Sequence, residues 1–510
     1  MKAKTSALSI NNTIFYPTLI FLLAVITYSL YDNESFLAFC NQTNEWILQH
    51  FGWLFTWTAF LFLIVLASIY LSPAGKIRIG GAAAQPILTR WKWFAIALCT
   101  TVATGIFFWG MAEPLYHLHQ PPAGLDLASN STPAANFAMA TMFMHWSFTP
   151  YGIYTVAGLL FALVYYNLRQ SFRISSLLYP IFGPWTHSKA GTVLDIICLV
   201  ALISGMAASL GTGIFALMGG LENTMGVQQS DIILGLIGVA LVTTYIVSTI
   251  SGLKKGISLL SDWNTRAFFG LAGVLFLLGP TSAMLEFGKN GFVDYVYHFP
   301  SRSTNISSNI DEGWMNNWTV FYFANWFAWA PIAALFLGRL SVGYTIRDFI
   351  NYNLIFPAIF TCAWMTIFSG ASLGLDISSE GKLFTVLSEQ GEENIMFMIL
   401  GDLPYGYWIS ILALIMIFIS YVTAADSNIS AMSAISTTGI SPENPEAPIS
   451  MKIVWGSLVG LIAWVMITSA GVDGIRLLCV LGGFPALFIL ILVGLGLVKT
   501  VYKLREKGTT

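Results

Sequence analysis

Trp318-Thr-Val-Phe-Tyr-Phe-Ala-Asn-Trp-Phe-Ala-Trp-Ala-Pro331 opens a long apolar run and carries three of the chain's seventeen tryptophans. Read as a helix, it brings Asn325, Trp326 and Trp329 within little more than one turn, so two indoles and an amide share a face. Such a face suits a cationic head group. A trimethylammonium ion donates no strong hydrogen bond, and a protein holds it against the negative faces of aromatic rings, at roughly 0.5 to 2 kcal/mol each. A membrane-interface belt is the other common source of Trp and Tyr. It accounts for Trp318 but not for aromatics that continue a full turn deeper.

Outward from this stretch the chain stays apolar. With 510 residues, 56% hydrophobic and 9% charged, and a mean hydropathy of +0.71, it lacks the charged surface of a soluble protein and reads as an all-α polytopic membrane protein. Apolar runs place twelve spans, near 14–31, 52–72, 91–117, 134–166, 193–221, 231–251, 257–288, 318–340, 353–374, 405–436, 452–470 and 475–500, each long enough to cross a bilayer. The first lacks a small-residue cleavage site, so it reads as a span and not as a leader. If both ends are cytoplasmic, all of the 23 Lys and Arg but Lys289, Arg302, Lys382 and Arg476 fall inside. By the positive-inside rule this sets the orientation, in the cell's inner (plasma) membrane. Residues 1–13 and 501–510 read as short cytoplasmic ends. Cys99, Cys198, Cys362 and Cys479 lie in apolar spans and Cys40 in an expected loop, so no disulfide framework is suggested.

Spans 134–166 and 257–288 exceed what a bilayer needs and should tilt or protrude. The third span carries Thr100-Thr-Val-Ala-Thr-Gly105, residues poor at continuing a helix. Either the helix opens there and its carbonyls face a cavity or an ion, or the small residues pack against a neighbour. A second polar cluster, Ser420-Tyr-Val-Thr-Ala-Ala-Asp-Ser-Asn428, comes seven spans later, as matching helices of two inverted repeats would. Phe292 to Trp314 is too polar to cross, and its first part reads as an amphipathic helix on the outer surface. Ser441 to Pro448 is a Pro-rich inner connector.

Span four adds Met144-His-Trp-Ser-Phe-Thr-Pro-Tyr-Gly-Ile-Tyr154, where Trp146, Tyr151 and Tyr154 can lean toward a common partner, and Tyr116 is a third source of a ring. His145 reads as a packing residue or as a proton relay. Glu113 and Asp426, costly in lipid, bond exposed backbone N–H groups or touch substrate. His117 and His119 beside Glu113 are explained by the wet end of a helix, so no metal is expected. There is no phosphate loop, no soluble domain to host catalysis, no cofactor motif and nothing that points to nucleic acid. The chain reads as a carrier and not as an enzyme.

The strings Trp318-Thr-Val-Phe-Tyr, Arg339, Thr345-Ile-Arg-Asp-Phe, Phe108-Trp-Gly-Met-Ala-Glu-Pro, His145-Trp146, Gly252-Leu-Lys-Lys-Gly256 and Thr423-Ala-Ala-Asp-Ser427 resemble the betaine/carnitine/choline transporter family, over about Pro17 to Val498. The resemblance implies a LeuT-type core of two inverted five-helix repeats, 91–288 and 318–500, preceded by two peripheral helices within 14–90. Residues 289–317 would form the surface helix and loop, in the contacts of a homotrimer. It further implies alternating access around an aromatic box of Tyr116, Trp146, Tyr154, Trp326 and Trp329, with Phe108 alongside. Asn325 and Tyr151 stand where the family usually has Trp, which points to a head group less methylated than glycine betaine. Gly105 stands near an Asp of choline carriers, which favours a zwitterion. Sodium is the implied coupling ion, held by carbonyls of Val102 and Ala103 with Ser420 and Thr423. Ala424 lacks the hydroxyl that sodium-driven members have next to Thr423, and the sodium-independent exchanger's Arg and Met are replaced by Asn264 and Ile332. Ser209 and Thr212 are candidates for a second ion. The short ends argue against osmotic control.

Overall fold

An apolar run in lipid has no water for its backbone polar groups, so it must satisfy them internally, and a helix does so. The computed structural model describes residues 8–102, 104–251, 256–440 and 446–506. They are helical almost throughout, apart from connecting turns and a short antiparallel pairing of Ser9–Ile10 with Thr437–Thr438. Among the described residues, eight helices are long and apolar enough to cross a membrane, and eleven spans result if each of three sharply bent helix pairs counts as one. The longer helices begin with α1 (Asn12–Tyr31), α2 (Asn33–Leu71), α3 (Arg90–Val102), α4 (Gly105–His119), α5 (Thr132–Trp146) and α6 (Phe148–Ala162). Next come α7 (Lys189–Met225), α8 (Asp231–Ser251), α9 (Gly256–Leu278) and α10 (Thr281–Thr304). After a π-turn at Asn316–Val320 follow α11 (Phe321–Leu340), α12 (Phe356–Ser378), α13 (Lys382–Gln390), α14 (Gly406–Ile435) and α15 (Ile449–Glu506).

Breaks in these helices shape the centre. The third span divides into α3 and α4, which meet at 57°, at the Thr- and Gly-containing stretch. The fourth divides at Ser147, whose φ of −107° and ψ of −111° are not helical. Pro150 is the cause, because it has no N–H for the carbonyl of Trp146 and its ring crowds that oxygen. The seventh span does not run to 288 as read from the sequence. Pro280 follows the end of α9, the chain turns by 112° into α10, and the surface helix expected from Phe292 already begins at Thr281. In α15, Gly471 takes φ 57° and ψ −137°, a conformation that favours a residue without Cβ. Cys40, expected in a loop, is buried in α2.

Burial ranks the helices by depth. The most apolar window of Thr132–Asn167 is 94% buried, against 33% for those of α1 and Asp231–Ile250. The span holding α5 and α6 is therefore the core of the molecule, while α1 and α8 turn apolar faces outward, as lipid allows. Against this core pack α4, α11 and α15, and α7 packs against α11 and α15. The Gly252 to Lys255 part of the family string and most of the Pro-rich connector lie outside the described residues.

Candidate functional site

On α11, Phe321, Tyr322, Asn325, Trp326 and Trp329 fall at i, i+1, i+4, i+5 and i+8, one helical face. This face lines a cavity with Thr101 of α3, Gly105 and Trp109 of α4, Trp146 of α5 and Tyr154 of α6. Ala208, Ser209 and Thr212 of α7 and Ile475 and Cys479 of α15 close it. The centre of a water-sized sphere has about 40 Å³ in which to move there. One water needs roughly 10 to 15 Å³ on that measure, so a larger guest must spread the rings.

The rings meet edge to face. Trp146 and Trp326 are 5.2 Å apart at 74°, Trp146 and Tyr322 5.3 Å at 63°, and Tyr154 and Trp326 6.3 Å at 84°. Two hydrogen bonds fix their orientation. The Trp146 indole donates to Glu113 Oε2 at 2.7 Å, and the Trp326 indole donates to the His145 carbonyl at 3.0 Å. Two glycines let the indoles approach their neighbours. A Cβ at Gly105 would stand 3.0 Å from Trp146 Cη2, and one at Gly205 3.2 Å from Trp329 Cδ1.

None of the lining residues is acidic or basic. A cation does sit against two of the lining rings: the Arg476 guanidinium is 5.6 Å from the Phe321 ring and 5.9 Å from that of Trp109, as well as 5.1 Å from Trp318. Asn325 Oδ1 accepts from the Cys479 thiol at 3.2 Å. The Tyr154 hydroxyl is buried and has no hydrogen-bond partner among the described residues.

Of the residues singled out from the sequence, Trp146, Tyr154, Asn325, Trp326 and Trp329 come together around this cavity. Tyr151 lines a smaller adjoining space, its hydroxyl 3.0 Å from Thr361 Oγ1. Phe108 and Tyr116 are not among the residues that line the aromatic cavity. Phe108 packs on Trp109 with ring centroids 5.0 Å apart. Tyr116 lies eleven residues beyond Gly105 on α4, about 16 Å along a helix, and donates to Glu392 Oε1 at 2.8 Å. Trp109, Phe321, Tyr322 and Cys479 also line the cavity, with no role assigned to them from the sequence. Stepping one turn back from Asn325 and Trp326 finds Phe321 and Tyr322, and one turn on from Gly105 finds Trp109. No local signal marks Cys479.

The ion candidates are more dispersed. Ser420 Oγ donates to the Met416 carbonyl at 2.7 Å and accepts from Asn264 Nδ2 at 2.9 Å. Thr423 Oγ1 donates to the Ile419 carbonyl at 2.8 Å. One turn away Thr100 and Ser427 hydroxyls, 3.4 Å apart, join α3 to α14. Ala103 lies outside the described residues, as do the side chains of Val102 and Ile332. Ser209 and Thr212 line the aromatic cavity itself.

Glu113 bonds neither backbone nor cavity space. Its Oε1 accepts from His145 Nδ1 at 2.6 Å and from His117 Nε2 at 3.1 Å. Asp426 Oδ2 accepts from Ser248 Oγ at 2.5 Å. His119 points elsewhere, to Asp376 at 2.6 Å. Ligand-capable atoms of Glu113, His117 and His145 all lie within 4.8 Å of one another. The 2.6 Å contact between Glu113 and His145 has the length of a hydrogen bond, shorter than the roughly 3.4 Å between two ligands of one tetrahedral zinc.

The family model for betaine/carnitine/choline family transporters (BCCT) matches residues 13–506. A glycine betaine transporter of Acinetobacter baylyi is 27% identical over 98% of this chain and 75% of its own length. An ectoine/hydroxyectoine transporter of Virgibacillus pantothenticus is 28% identical over 98% of each. A high-affinity choline transport protein of Escherichia coli is 29% identical over 96% of this chain and 72% of its own length. Among solved structures, an outward-open Na+-coupled sialic acid symporter overlaps 87% of this chain and 85% of its own, at 14% identity and a TM-score of 0.48. That likeness is too loose to carry an ion or a substrate across. The family model, matching from residue 13 to residue 506, shows the family: this chain belongs to the betaine/carnitine/choline family of transporters.

Proposed function

We propose that the protein is a secondary active transporter of a small zwitterionic methylated-ammonium compound such as glycine betaine or carnitine, working by alternating access around the Trp/Tyr box. The observation that carries this reading is an aromatic cavity with no carboxylate in its lining. Rings supply the attraction a quaternary ammonium can use. The lining itself offers a bare cation no counter-charge, whereas a zwitterion brings its own. The unpartnered Tyr154 hydroxyl is a donor for that carboxylate. The pairing of Asn325 with Cys479 favours a second reading, a less methylated amine that donates to the amide. Replacing Asn325 by Trp without changing the rank order of substrates would rule that second reading out.

Sodium symport is the proposed coupling, with the ion between α3 and α14 near Thr423 and Ser420. Exchange independent of sodium is the alternative, favoured by the Asn264 amide on the Ser420 hydroxyl. The 58 residues of α15 would extend about 87 Å, far beyond a bilayer core of roughly 30 Å. We therefore read it as two crossings parted at Gly471, giving twelve spans in a LeuT-type arrangement, with both ends cytoplasmic and the α10 region in trimer contacts. Uptake of radiolabelled glycine betaine into proteoliposomes, with an inward sodium gradient, without one, and with unlabelled internal substrate, tests the reading. Gradient-driven accumulation is expected. Uptake only against internal substrate replaces symport by exchange, and no uptake of betaine, carnitine, choline or ectoine refutes the substrate class.

A further inference from the structure

Directly behind the cavity wall lies an acid–base cluster that the substrate reading leaves unused. We propose that Glu113 and His145 form a proton-binding site linked to the cavity, from which one proton leaves when the substrate's ammonium enters; the proposal rests on the transporter reading above.

Glu113, His117 and His145 are all fully buried. The Glu113 carboxylate takes three donors, His145 Nδ1 and His117 Nε2 on Oε1 and the Trp146 indole on Oε2. So supplied, it is satisfied as the anion. His145 differs from His117 in what its far nitrogen meets. His145 Nε2 stands 3.0 Å from Thr319 Oγ1, a hydroxyl that turns to donate or to accept. A neutral His145 accepts from Thr319 and a cationic one donates to it, so either state is paired. His117 Nδ1 is buried without a partner among the described residues, so a proton there would go unmet. The cluster thus has two well-paired states one proton apart: net −1 with both rings neutral, and net zero with His145 cationic. Around it stand Tyr322 from α11, and Arg476 and Asp473 from α15. The Tyr322 ring stacks on His145 at 4.8 Å and 28°. Arg476 is 5.1 Å from the Trp318 ring that packs on His117 at 4.7 Å, and Asp473 lies 3.9 Å from Arg476.

Three of the cavity's rings rest on this unit: Trp146 on Glu113, Trp326 on the His145 carbonyl, and Tyr322 on the His145 ring. An ammonium among those rings is attracted by the net −1 state and not by the neutral one. A cationic His145 also draws on the Tyr322 ring that the ammonium would use. Both effects have the same sign, and linkage is reciprocal. Entry of the cation expels the proton, and protonation weakens substrate binding.

The test is calorimetric binding of glycine betaine to the purified full chain from pH 5 to 9, with proton release read by a dye in weak buffer. Carnitine, choline and ectoine follow in the same format. Wild type should bind more tightly as pH rises, by up to about tenfold per unit below the site's midpoint, and release close to one proton per substrate there. His145→Gln should flatten the profile and abolish release. Thr319→Val, which keeps Glu113 and His145 but removes the rotating hydroxyl, should move the binding profile along the pH axis. Binding without release in wild type, or a profile unchanged in both variants, overturns the proton site and leaves the transporter reading standing. No binding of any of the four compounds overturns the substrate reading, and the proton site with it.

Discussion

Replacing Trp326 by Ala probes the box directly, because this ring packs on Trp146, Tyr154 and Tyr322. Losing its face removes roughly 0.5 to 2 kcal/mol of cation–π attraction. Trp146 at 5.2 Å and Tyr154 at 6.3 Å also lose the ring they pack against, at about 0.5 to 1.5 kcal/mol per aromatic pair. Together these reach about 1.5 to 5 kcal/mol, a loss of affinity of about 10- to 5000-fold. Removing a buried indole also costs stability, by about 3 to 5 kcal/mol, so the assay needs a folding control. Binding of glycine betaine is measured on protein that elutes as a single species and keeps its helical circular dichroism. Trp326→Phe, which keeps a ring but not the donor to the His145 carbonyl, should fall between wild type and Ala. Folded Trp326→Ala that binds within threefold of wild type would show that the cavity between α4, α6, α7 and α11 is not the substrate site.

Gly105→Asp brings a Cβ within 3.0 Å of Trp146 Cη2 and a carboxylate to a neutral lining; competition assays should show the betaine-to-choline preference moving toward choline by tenfold or more. Phe108→Leu and Tyr116→Phe alter residues outside the cavity, so binding isotherms should stay within twofold of wild type; a larger loss at either would extend the site outward along α4. Glu393, in the turn Glu392–Asn394, is pushed up from 4.5 to about 7 by burial and then by the like charges of Glu392 and Glu222. The folded chain therefore keeps a proton that the unfolded chain gives up, and stability falls as pH rises from 4.5 to 7, by at most about 3 kcal/mol, and is level above. Melting curves from pH 4.5 to 8 should show this slope in wild type and its loss in Glu393→Gln; equal slopes in the two would refute the assignment.

What the sequence made legible was the local part of this design. Period and spacing marked the α11 face, and the Thr and Gly of the third span marked the junction of α3 and α4, because both signals live within one or two turns of chain. A family string says which residues recur and not how far along the helix the cavity extends, and Tyr116 is not among the lining residues. Glu113 and His145 are 32 residues apart, and nothing local announces that a carboxylate will find that ring. Yet one residue ties the local signal to the distant contact. Pro150 cannot donate to the Trp146 carbonyl, so the helix parts at Ser147. A helix end leaves its last carbonyls without partners, and His145, in the last turn of α5, owns one of them. The Trp326 indole donates to that carbonyl at 3.0 Å. The proline that ends α5 thus creates the acceptor that orients a ring of the box. His145 also bonds Glu113 through its ring at 2.6 Å, so the aromatic wall and the acid–base pair behind it meet at this residue.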